Sequence, residues 1–224
     1  MNEPFQIVFN DEYLIVINKL AKILVHPSPR KERYTLTTIL SKSINEEVYP
    51  CHRLDRQTSG LIIYAKSKGI QKKIMEEFIR REVKKKYIAF IKGRMPYKKG
   101  LLKDYILDRE GKIFGEKRKQ AVTEYRVLNV FDNFSILELM PITGRTNQLR
   151  IQLAKIGNPI LGESKYAFRR DFYFEGRKIN FRRLALHAYF ISFIHPIRRE
   201  RVNLKVDLPE DMRRWLEKMQ NKFN

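Results

Sequence analysis

The spacing of apolar and polar residues at the start of the chain predicts alternating strands and helices. β-Branched and aromatic residues on both sides of Asn10 and Asp11 predict two strands joined by a tight turn. A short helix is predicted next by apolar residues at i, i+3, i+4 and i+8, namely Leu36, Ile39, Leu40 and Ile44. Residues 61–66 are apolar on both faces, which is typical of a strand inside a covered sheet. Residues 51–60 therefore form a loop between a helix and a buried strand.

A helix and a strand are predicted in the next part of the chain. Ser67 can cap the helix, whose apolar stripe consists of Ile70, Ile74, Met75, Phe78 and Ile79. Residues 85–93 predict a strand that ends at Gly93. The segment 94–119 is polar, basic and punctuated by glycine, so we expect a surface excursion that could form a hairpin.

The remainder of the chain predicts a hairpin, a helix, a long strand and a final helix. The hairpin joins residues 121–130 to residues 134–142. The helix that follows ends at Gly157 and should direct inward the side chains of Leu149, Leu153 and Ile156. Residues 183–196 follow an alternating pattern that predicts a long strand. The final helix is predicted by apolar residues at helical spacing, namely Met212, Trp215, Leu216 and Met219.

Strands joined both by hairpins and by helices predict an α+β fold with a mixed, mainly antiparallel central sheet flanked by helices. At 224 residues the chain fits one domain over residues 1–224. No apolar run is long enough to span a membrane, and the first residues do not resemble a secretory signal. Cys51 is the single cysteine and has no partner for an internal disulfide, which favours the reducing cytoplasm.

The charge of the chain indicates an anionic partner. Lys and Arg number 46 against 25 Asp and Glu, which gives a net charge of +21. Since such an excess repels itself unless an anion offsets it, nucleic acid is the favoured partner and a merely soluble basic protein is the alternative. Basic residues recur along the whole chain rather than in one tail, which fits a groove. No segment combines a basic face with a strong apolar face, so a membrane surface is disfavoured.

The loop before the buried strand contains a candidate catalytic acid. Asp55 lies among Arg53, Arg56, a histidine, a threonine and a serine. With an ordinary pKa of about 3.9, an aspartate is ionised at neutral pH and needs no neighbouring base to act as a nucleophile or proton acceptor. Arg53, Arg56, Arg145 or Arg150 could keep it charged. The alternative is an aspartate that caps a turn or pairs at the surface.

Other chemistries find little support in the sequence. The four histidines are far apart and do not form a metal-ligand pattern. The glycines do not form a phosphate-binding or dinucleotide-binding motif, and no serine lies in a nucleophile elbow. Cys51 stands next to His52, but neighbours in sequence seldom point at each other, so a thiol nucleophile is disfavoured.

Five sequence blocks, in order along the chain, resemble the RluA-type pseudouridine synthases. They are "YLIVINKLAKILVHPSP", "HRLDRQTSGLIIYAKS", "KKYIAFIKG", "ITGRTNQLRIQLAKIGNPILGESKY" and "RLALHAYFISFIHP". Three positions depart from the family pattern. Leu20 replaces a usual proline, Asn147 a usual histidine, and Glu163 a common aspartate. The departure at position 147 leaves the role of that residue open.

The resemblance implies an isomerase, an intramolecular transferase that converts uridine in RNA to pseudouridine in a basic active-site cleft. It implies catalytic roles for Asp55, Tyr87 and Arg150, with Arg150 as the ionic partner of Asp55. Substrate-binding roles are implied for Arg53, Arg56, Arg145, Asn147 and Leu149. Neither a metal nor another cofactor is implied, because the net reaction is neither an oxidation nor a hydrolysis.

Several alternatives stay open at this point. Asp55 could attack the ribose anomeric carbon or remove a ribose proton. Tyr87 could stack on the flipped base or be a core tyrosine of its strand, and Arg53 could fill the space of the flipped nucleotide or be a surface cation. A non-catalytic RNA-binding or RNA-folding protein on the same scaffold is the second hypothesis. A DNA-directed nuclease is a third, and it is disfavoured because the acids that would have to cluster around metal ions are scattered.

The substrate is expected to be structured RNA. We favour ribosomal RNA over transfer RNA, while the modified positions and their number stay open. Some members of the family carry a small RNA-binding domain before the catalytic one. Here the first predicted strand begins at about residue 5, so we expect the catalytic domain alone, acting as a monomer.

Overall fold

The computed structural model describes residues 4–27, 34–107, 118–167, 172–174, 177–179 and 181–220. Its elements are β1 (Phe5–Asn10), β2 (Leu14–Lys19), α1 (Leu36–Ile44), β3 (Tyr49–Pro50), β4 (Ser59–Ala65), α2 (Lys68–Arg80), β5 (Lys84–Lys92), β6 (Lys99–Leu107), β7 (Arg118–Val130), β8 (Phe134–Pro141), α3 (Gln148–Lys155), β9 (Phe172–Phe174), β10 (Arg177–Ile179), β11 (Leu186–Ile194), β12 (Arg201–Lys205) and α4 (Glu210–Gln220). The chain divides into two compact units: Met1–Val83 with His187–Asn224, and Lys84–Leu186. We call them the first and the second unit. The expectation of a single domain stays a prediction.

The first unit is built on strands that are mostly antiparallel. β2 pairs with β1 and β4, and β3 pairs with β4, all in antiparallel register. β4 and β11 pair in parallel, and β12 returns antiparallel to β11. The core of this unit includes Leu14, Val16, Leu61, Ile63 and Phe193, which are 1% exposed or less. Burial on both faces of β4 explains why residues 61–65 form a continuous apolar run.

Two helices of the first unit begin at side-chain caps. The hydroxyl of Thr35 accepts a hydrogen bond from the backbone N–H of Thr38 at 3.3 Å and starts α1. The hydroxyl of Ser67 accepts one from Ile70 at the same distance and starts α2, as the sequence predicted. Each cap satisfies an N–H that the first turn of a helix leaves without a partner.

The strands of the second unit pair in antiparallel register, and α3 follows β8 along the chain. β8 pairs with β5 and with β7, and β7 pairs with β6. β9 and β10 form a separate two-stranded pair. The prediction of an α+β fold with a mixed, mainly antiparallel arrangement is confirmed.

Two features of the sequence interpretation need adjustment. Ile156 was expected to point inward, but it is 46% exposed. The reason is that α3 ends at Lys155, so the side chain of Ile156 leaves the buried face. The segment 94–119 contains β6 and the first two residues of β7, which pair as a hairpin whose second strand continues past the predicted segment, while residues 108–117 lie outside the described part of the chain.

Gly60 in β4 stands where no side chain fits. Its φ is +121°, and a Cβ atom at this position would lie 2.2 Å from the carbonyl oxygen of Ala188. We expect Gly60→Ala to lower the free energy of unfolding by at least about 2 kcal/mol, because backbone would have to move. Urea unfolding measures the change.

A matched control is Gly69→Ala in α2, where the nearest atom to a new Cβ is the Ser67 hydroxyl oxygen at 4.0 Å. This change should be neutral or stabilising, by up to about 1 kcal/mol, because alanine favours a helix more than glycine does. Equal unfolding midpoints for Gly60→Ala and the unchanged protein would contradict the close approach of β4 and β11.

Candidate active site

The loop between β3 and β4 presents the candidate acid close to the surface. Asp55 is half-buried, while Arg53 and Arg56 on either side of it are exposed. The loop turns at the acid, because the backbone N–H of Thr58 donates to the carbonyl oxygen of Asp55 at 3.0 Å. This arrangement leaves one carboxylate between two cations on a short turn.

Contacts with the segment after β2 hold the other side of the turn. The N–H of Lys22 donates to the carbonyl oxygen of Arg56 at 2.6 Å. The Nε of Arg56 donates back to the carbonyl oxygen of Lys22 at 3.2 Å. The side chain of Arg56 is therefore engaged with the protein backbone, and its predicted role in binding substrate stays a prediction.

A buried lysine fixes the backbone of the same loop. Lys19 ends β2 with 0% of its surface exposed. Its Nζ donates to the carbonyl oxygens of Leu20 at 2.9 Å, Thr58 at 2.7 Å and Arg56 at 3.4 Å. Because an ammonium group is costly to bury without such acceptors, these carbonyls must stay in place around it. Sequence reasoning missed this role, although a lysine ending an apolar strand was a visible signal.

Polar side chains near the acid make hydrogen bonds that hold the loop in place. The Nε2 of His52 accepts a hydrogen bond from the N–H of Ile63 at 3.1 Å. The hydroxyl of Ser59 lies 2.9 Å from the Nδ1 of His187. Burial raises the pKa of Cys51 to about 12, so the thiol stays protonated at neutral pH and is a poor nucleophile.

The second unit holds the candidate catalytic arginine in a rigid frame. Arg150 on α3 makes two bonds to Glu163, with Nε to Oε2 at 2.7 Å and Nη2 to Oε1 at 2.9 Å. Its Nη1 donates to the Oδ1 of Asn147 at 2.8 Å. The ring of Tyr166 lies 5.1 Å from the guanidinium carbon. Asn147 and Glu163, two of the departures from the family pattern, therefore both contact Arg150.

Glu163 is suited to orient that arginine because it stays charged. Burial alone would raise the pKa of this carboxyl, which is 4% exposed. Hydrogen bonds from Arg150 and from the backbone N–H groups of Lys165 and Tyr166 outweigh burial and lower the pKa below its ordinary value. A buried ion pair with two parallel bonds fixes the plane of the guanidinium group.

Two buried amides attach α3 to β7. Gln148 donates to the carbonyl oxygen of Val122 on β7 at 3.1 Å and accepts from the hydroxyl of Thr143 at 2.7 Å. Gln152 donates to the carbonyl oxygen of Ala121 at 3.0 Å and accepts from the hydroxyl of Thr123 at 2.7 Å. Sequence reasoning overlooked both glutamines. Their i, i+4 spacing beside Leu149 and Leu153 was the available signal, because it places them on one face of the helix next to its buried leucines.

Tyr87 and Leu149 are both largely covered. Tyr87 on β5 is 8% exposed and Leu149 on α3 is 7% exposed. Their predicted contacts with a flipped base and with substrate stay predictions. Burial lowers the pKa of Lys85, two residues before Tyr87, to about 8, so this ammonium loses its proton more readily than an exposed lysine does.

The predicted site residues fall into two groups. Arg53, Asp55 and Arg56 share one loop of the first unit, and the second unit contains Tyr87 together with the group around α3. The predicted ion pair between Asp55 and Arg150 joins residues of the two units and stays a prediction. Within the described ranges, no three His, Cys, Asp or Glu side chains converge as a metal site would require. None of the helices described there is long and apolar enough to cross a membrane.

Comparison with known proteins assigns this arrangement to a family. The family model described as RNA pseudouridylate synthase matches residues 13–155, a range that includes Lys19, Asp55, Tyr87 and Arg150. The chain belongs to the RNA pseudouridylate synthase family. Its similarity to individual members identifies it as an RluA-type enzyme, an isomerase that converts uridine in RNA to pseudouridine.

Relatives with different named substrates are similarly distant from this chain. It is 31% identical over 232 residues to the ribosomal large subunit pseudouridine synthase D of Zymomonas mobilis, covering 93% of this chain and 71% of the relative. It is 30% identical over 239 residues to the tRNA pseudouridine synthase C of Haemophilus influenzae, covering 97% of each. The solved structure of human RNA Pseudouridylate Synthase Domain Containing 4 has a TM-score of 0.78 and 27% identity, over 96% of this chain and 92% of that one. These comparisons confirm the predicted family and enzyme class.

Proposed function

We propose that the protein isomerises specific uridines in structured RNA by means of the Asp55 carboxylate, after the target nucleotide has been turned out of its helix. The observation that carries this proposal is the placement of Asp55. It is half-buried on a turn whose backbone is fixed by the buried ammonium of Lys19, and it has an exposed arginine on either side. A non-catalytic RNA-binding protein would gain nothing from an acid held in this way against a polyanion.

The proposed reaction exchanges one bond of the ribose for another. The bond between the anomeric carbon and N1 of uracil breaks, the base turns, and a bond forms between the anomeric carbon and C5. The proton on C5 is lost and N1 regains one, so atoms and electrons balance without a cofactor. Asp55 would start the cleavage by attacking the anomeric carbon or by removing a ribose proton, and both routes need the ionised carboxylate.

Other predicted residues have defined tasks in this scheme. A base inside a helix is inaccessible, and extruding it costs a few kcal/mol. Stacking of the base on Tyr87 would offset about 1 to 3 kcal/mol of that cost and would tolerate rotation of the base in its plane. The exposed side chain of Arg53 would enter the space left by the flipped nucleotide. Arg150 would hold the charge of Asp55, and Arg145 and Asn147 would contact the RNA next to it.

Ribosomal RNA is the substrate we propose first. It is the substrate named for the Zymomonas mobilis relative, and the net charge of +21 suits a highly structured polyanion. Transfer RNA is the second candidate, because the alignment covers 97% of the Haemophilus influenzae tRNA pseudouridine synthase C.

Mapping of pseudouridines in total RNA tests this function and names the substrate. Cells with and without the gene are compared, and the gene is restored in a third culture as the control. We expect one or more positions in ribosomal RNA to lose pseudouridine and to regain it on restoration. Loss confined to transfer RNA would select the second candidate, and loss at no position would reject the proposed function.

A further inference from the structure

A buried hydrogen bond joins the loop that carries Asp55 to a strand far along the chain. The hydroxyl of Ser59 and the Nδ1 of His187 lie 2.9 Å apart although the residues are separated by 128 positions. Ser59 is 1% exposed and His187 is 0% exposed. Both side chains belong to the first unit. An imidazole and a hydroxyl are costly to bury, so the bond between them is required to keep both inside.

The bond lies at the point where the loop becomes a strand. Ser59 is the first residue of β4, and it pairs in parallel register with His187 on β11. At the next residue, Gly60, the backbones of β4 and β11 approach so closely that no Cβ fits. The beginning of β4 is therefore held to β11 by a side-chain bond and by close backbone contact.

The start of β4 is connected to Asp55 by a single turn of the chain. Thr58, directly before Ser59, donates its N–H to the carbonyl oxygen of Asp55 at 3.0 Å, and its own carbonyl oxygen accepts from Lys19 at 2.7 Å. A shift at Ser59 would therefore move Thr58, and with it the turn that begins at Asp55. An apolar pair could fill the same space, but it would not set the direction of the chain, since a hydrogen bond is directional and a hydrophobic contact is not.

We propose that His187 and Ser59 are positioning residues, whose hydrogen bond fixes the turn from Asp55 to Thr58 and thereby aims the Asp55 carboxylate at the ribose. This inference rests on the proposed function of Asp55. A misplacement of about 1 Å in a reacting group can cost about 100-fold in rate, so a bond of this kind is able to control the chemical step without contacting RNA.

A double-mutant cycle tests the pair. The variants are Ser59→Ala, His187→Leu and the double substitution, and Ser59→Thr is the conservative variant that keeps the hydroxyl. The substrate is an RNA oligonucleotide that spans a position losing its pseudouridine in cells without the gene. The single-turnover rate, the Kd for RNA and the unfolding midpoint are measured for each variant. Ser135→Ala is the matched control, because Ser135 is also buried in a strand and donates to a carbonyl oxygen, that of Gly93, at 2.8 Å.

The cycle has a specific expected result. Ser59→Ala should lower the single-turnover rate by about 10-fold with the Kd nearly unchanged, because the acid is misaimed while the RNA-binding surface is intact. The double variant should be no slower than the slower single variant, since both substitutions remove the same bond. Ser59→Thr should recover most of the rate, and Ser135→Ala should match the unchanged protein.

Three outcomes would overturn the inference. The single-turnover rate of Ser59→Ala could equal that of the unchanged protein, the rate losses of the two single variants could multiply in the double variant, or Ser135→Ala could lose as much rate as Ser59→Ala. Measuring Asp55→Asn in the same assay shows whether the positioning role of Ser59 and His187 is wrong or the proposed function of Asp55 is wrong. If the unchanged protein is active, Asp55→Asn is inactive and Ser59→Ala is fully active, only the positioning role is wrong. If Asp55→Asn is active, or the unchanged protein is inactive, the proposed function itself is wrong.

Discussion

Replacing Asp55 by asparagine is expected to lower the single-turnover rate of pseudouridine formation by at least about 1,000-fold. Asparagine has nearly the same shape but no negative charge, so its amide can neither attack the anomeric carbon nor accept a ribose proton. RNA labelled with tritium at carbon 5 of uridine provides the assay. The label is released to solvent when that carbon becomes attached to the ribose.

The fold should survive this change. The side chain of Asp55 is half-buried, and its backbone carbonyl, which asparagine keeps, closes the turn at this position. The unfolding midpoint should therefore stay close to that of the unchanged protein. Asp132→Asn is a suitable control, because the side chain of Asp132 is 83% exposed and lies in another loop. A rate for Asp55→Asn within about 10-fold of the unchanged protein would reject the carboxylate as the catalytic group.

Arg150→Gln is expected to damage both stability and activity. Glu163 is 4% exposed and receives two hydrogen bonds from Arg150, so the substitution leaves a buried carboxylate without its cation. Removing one partner of a buried pair costs about 3 kcal/mol or more. Urea unfolding measures the loss, and Arg94→Gln, at a side chain that is 60% exposed, is the matched control with an expected change near zero.

The double variant Arg150→Gln with Glu163→Gln separates the two effects. Without the buried charge, much of the lost stability should return, because two neutral amides can bond to each other. The rate of pseudouridine formation should stay at least about 100-fold below normal, since the guanidinium that we propose holds the charge of Asp55 is still missing. If activity returns together with stability, Arg150 has a structural role only.

Much of the fold could be predicted from the sequence because the apolar pattern reflects burial directly. The apolar run over residues 61–66 predicts a covered strand, and β4 is buried throughout. The position of Ser67 predicts a helix cap, and this residue caps α2. Ile156 was misjudged because the pattern does not reveal that α3 ends one residue earlier.

The buried polar partners of the site could not be predicted in the same way. Lys19 bonds to carbonyl oxygens of a loop 39 residues away at Thr58, and Ser59 bonds to a residue 128 positions away. No local propensity encodes such pairs, since they depend on which strands become neighbours. The contact between Arg150 and Glu163 spans only 13 residues, yet it also depends on how the chain returns after α3.

The proposed chemistry requires the side chain at position 55 to reach the ribose of an extruded uridine. A crystal structure of the Asp55→Asn variant bound to the RNA segment identified by mapping would show this contact. The target base is expected outside its helix, with the residue 55 side chain within about 3.5 Å of the ribose. A base still stacked in the helix, or a residue 55 side chain turned away from the sugar, would rule out the proposed role of Asp55.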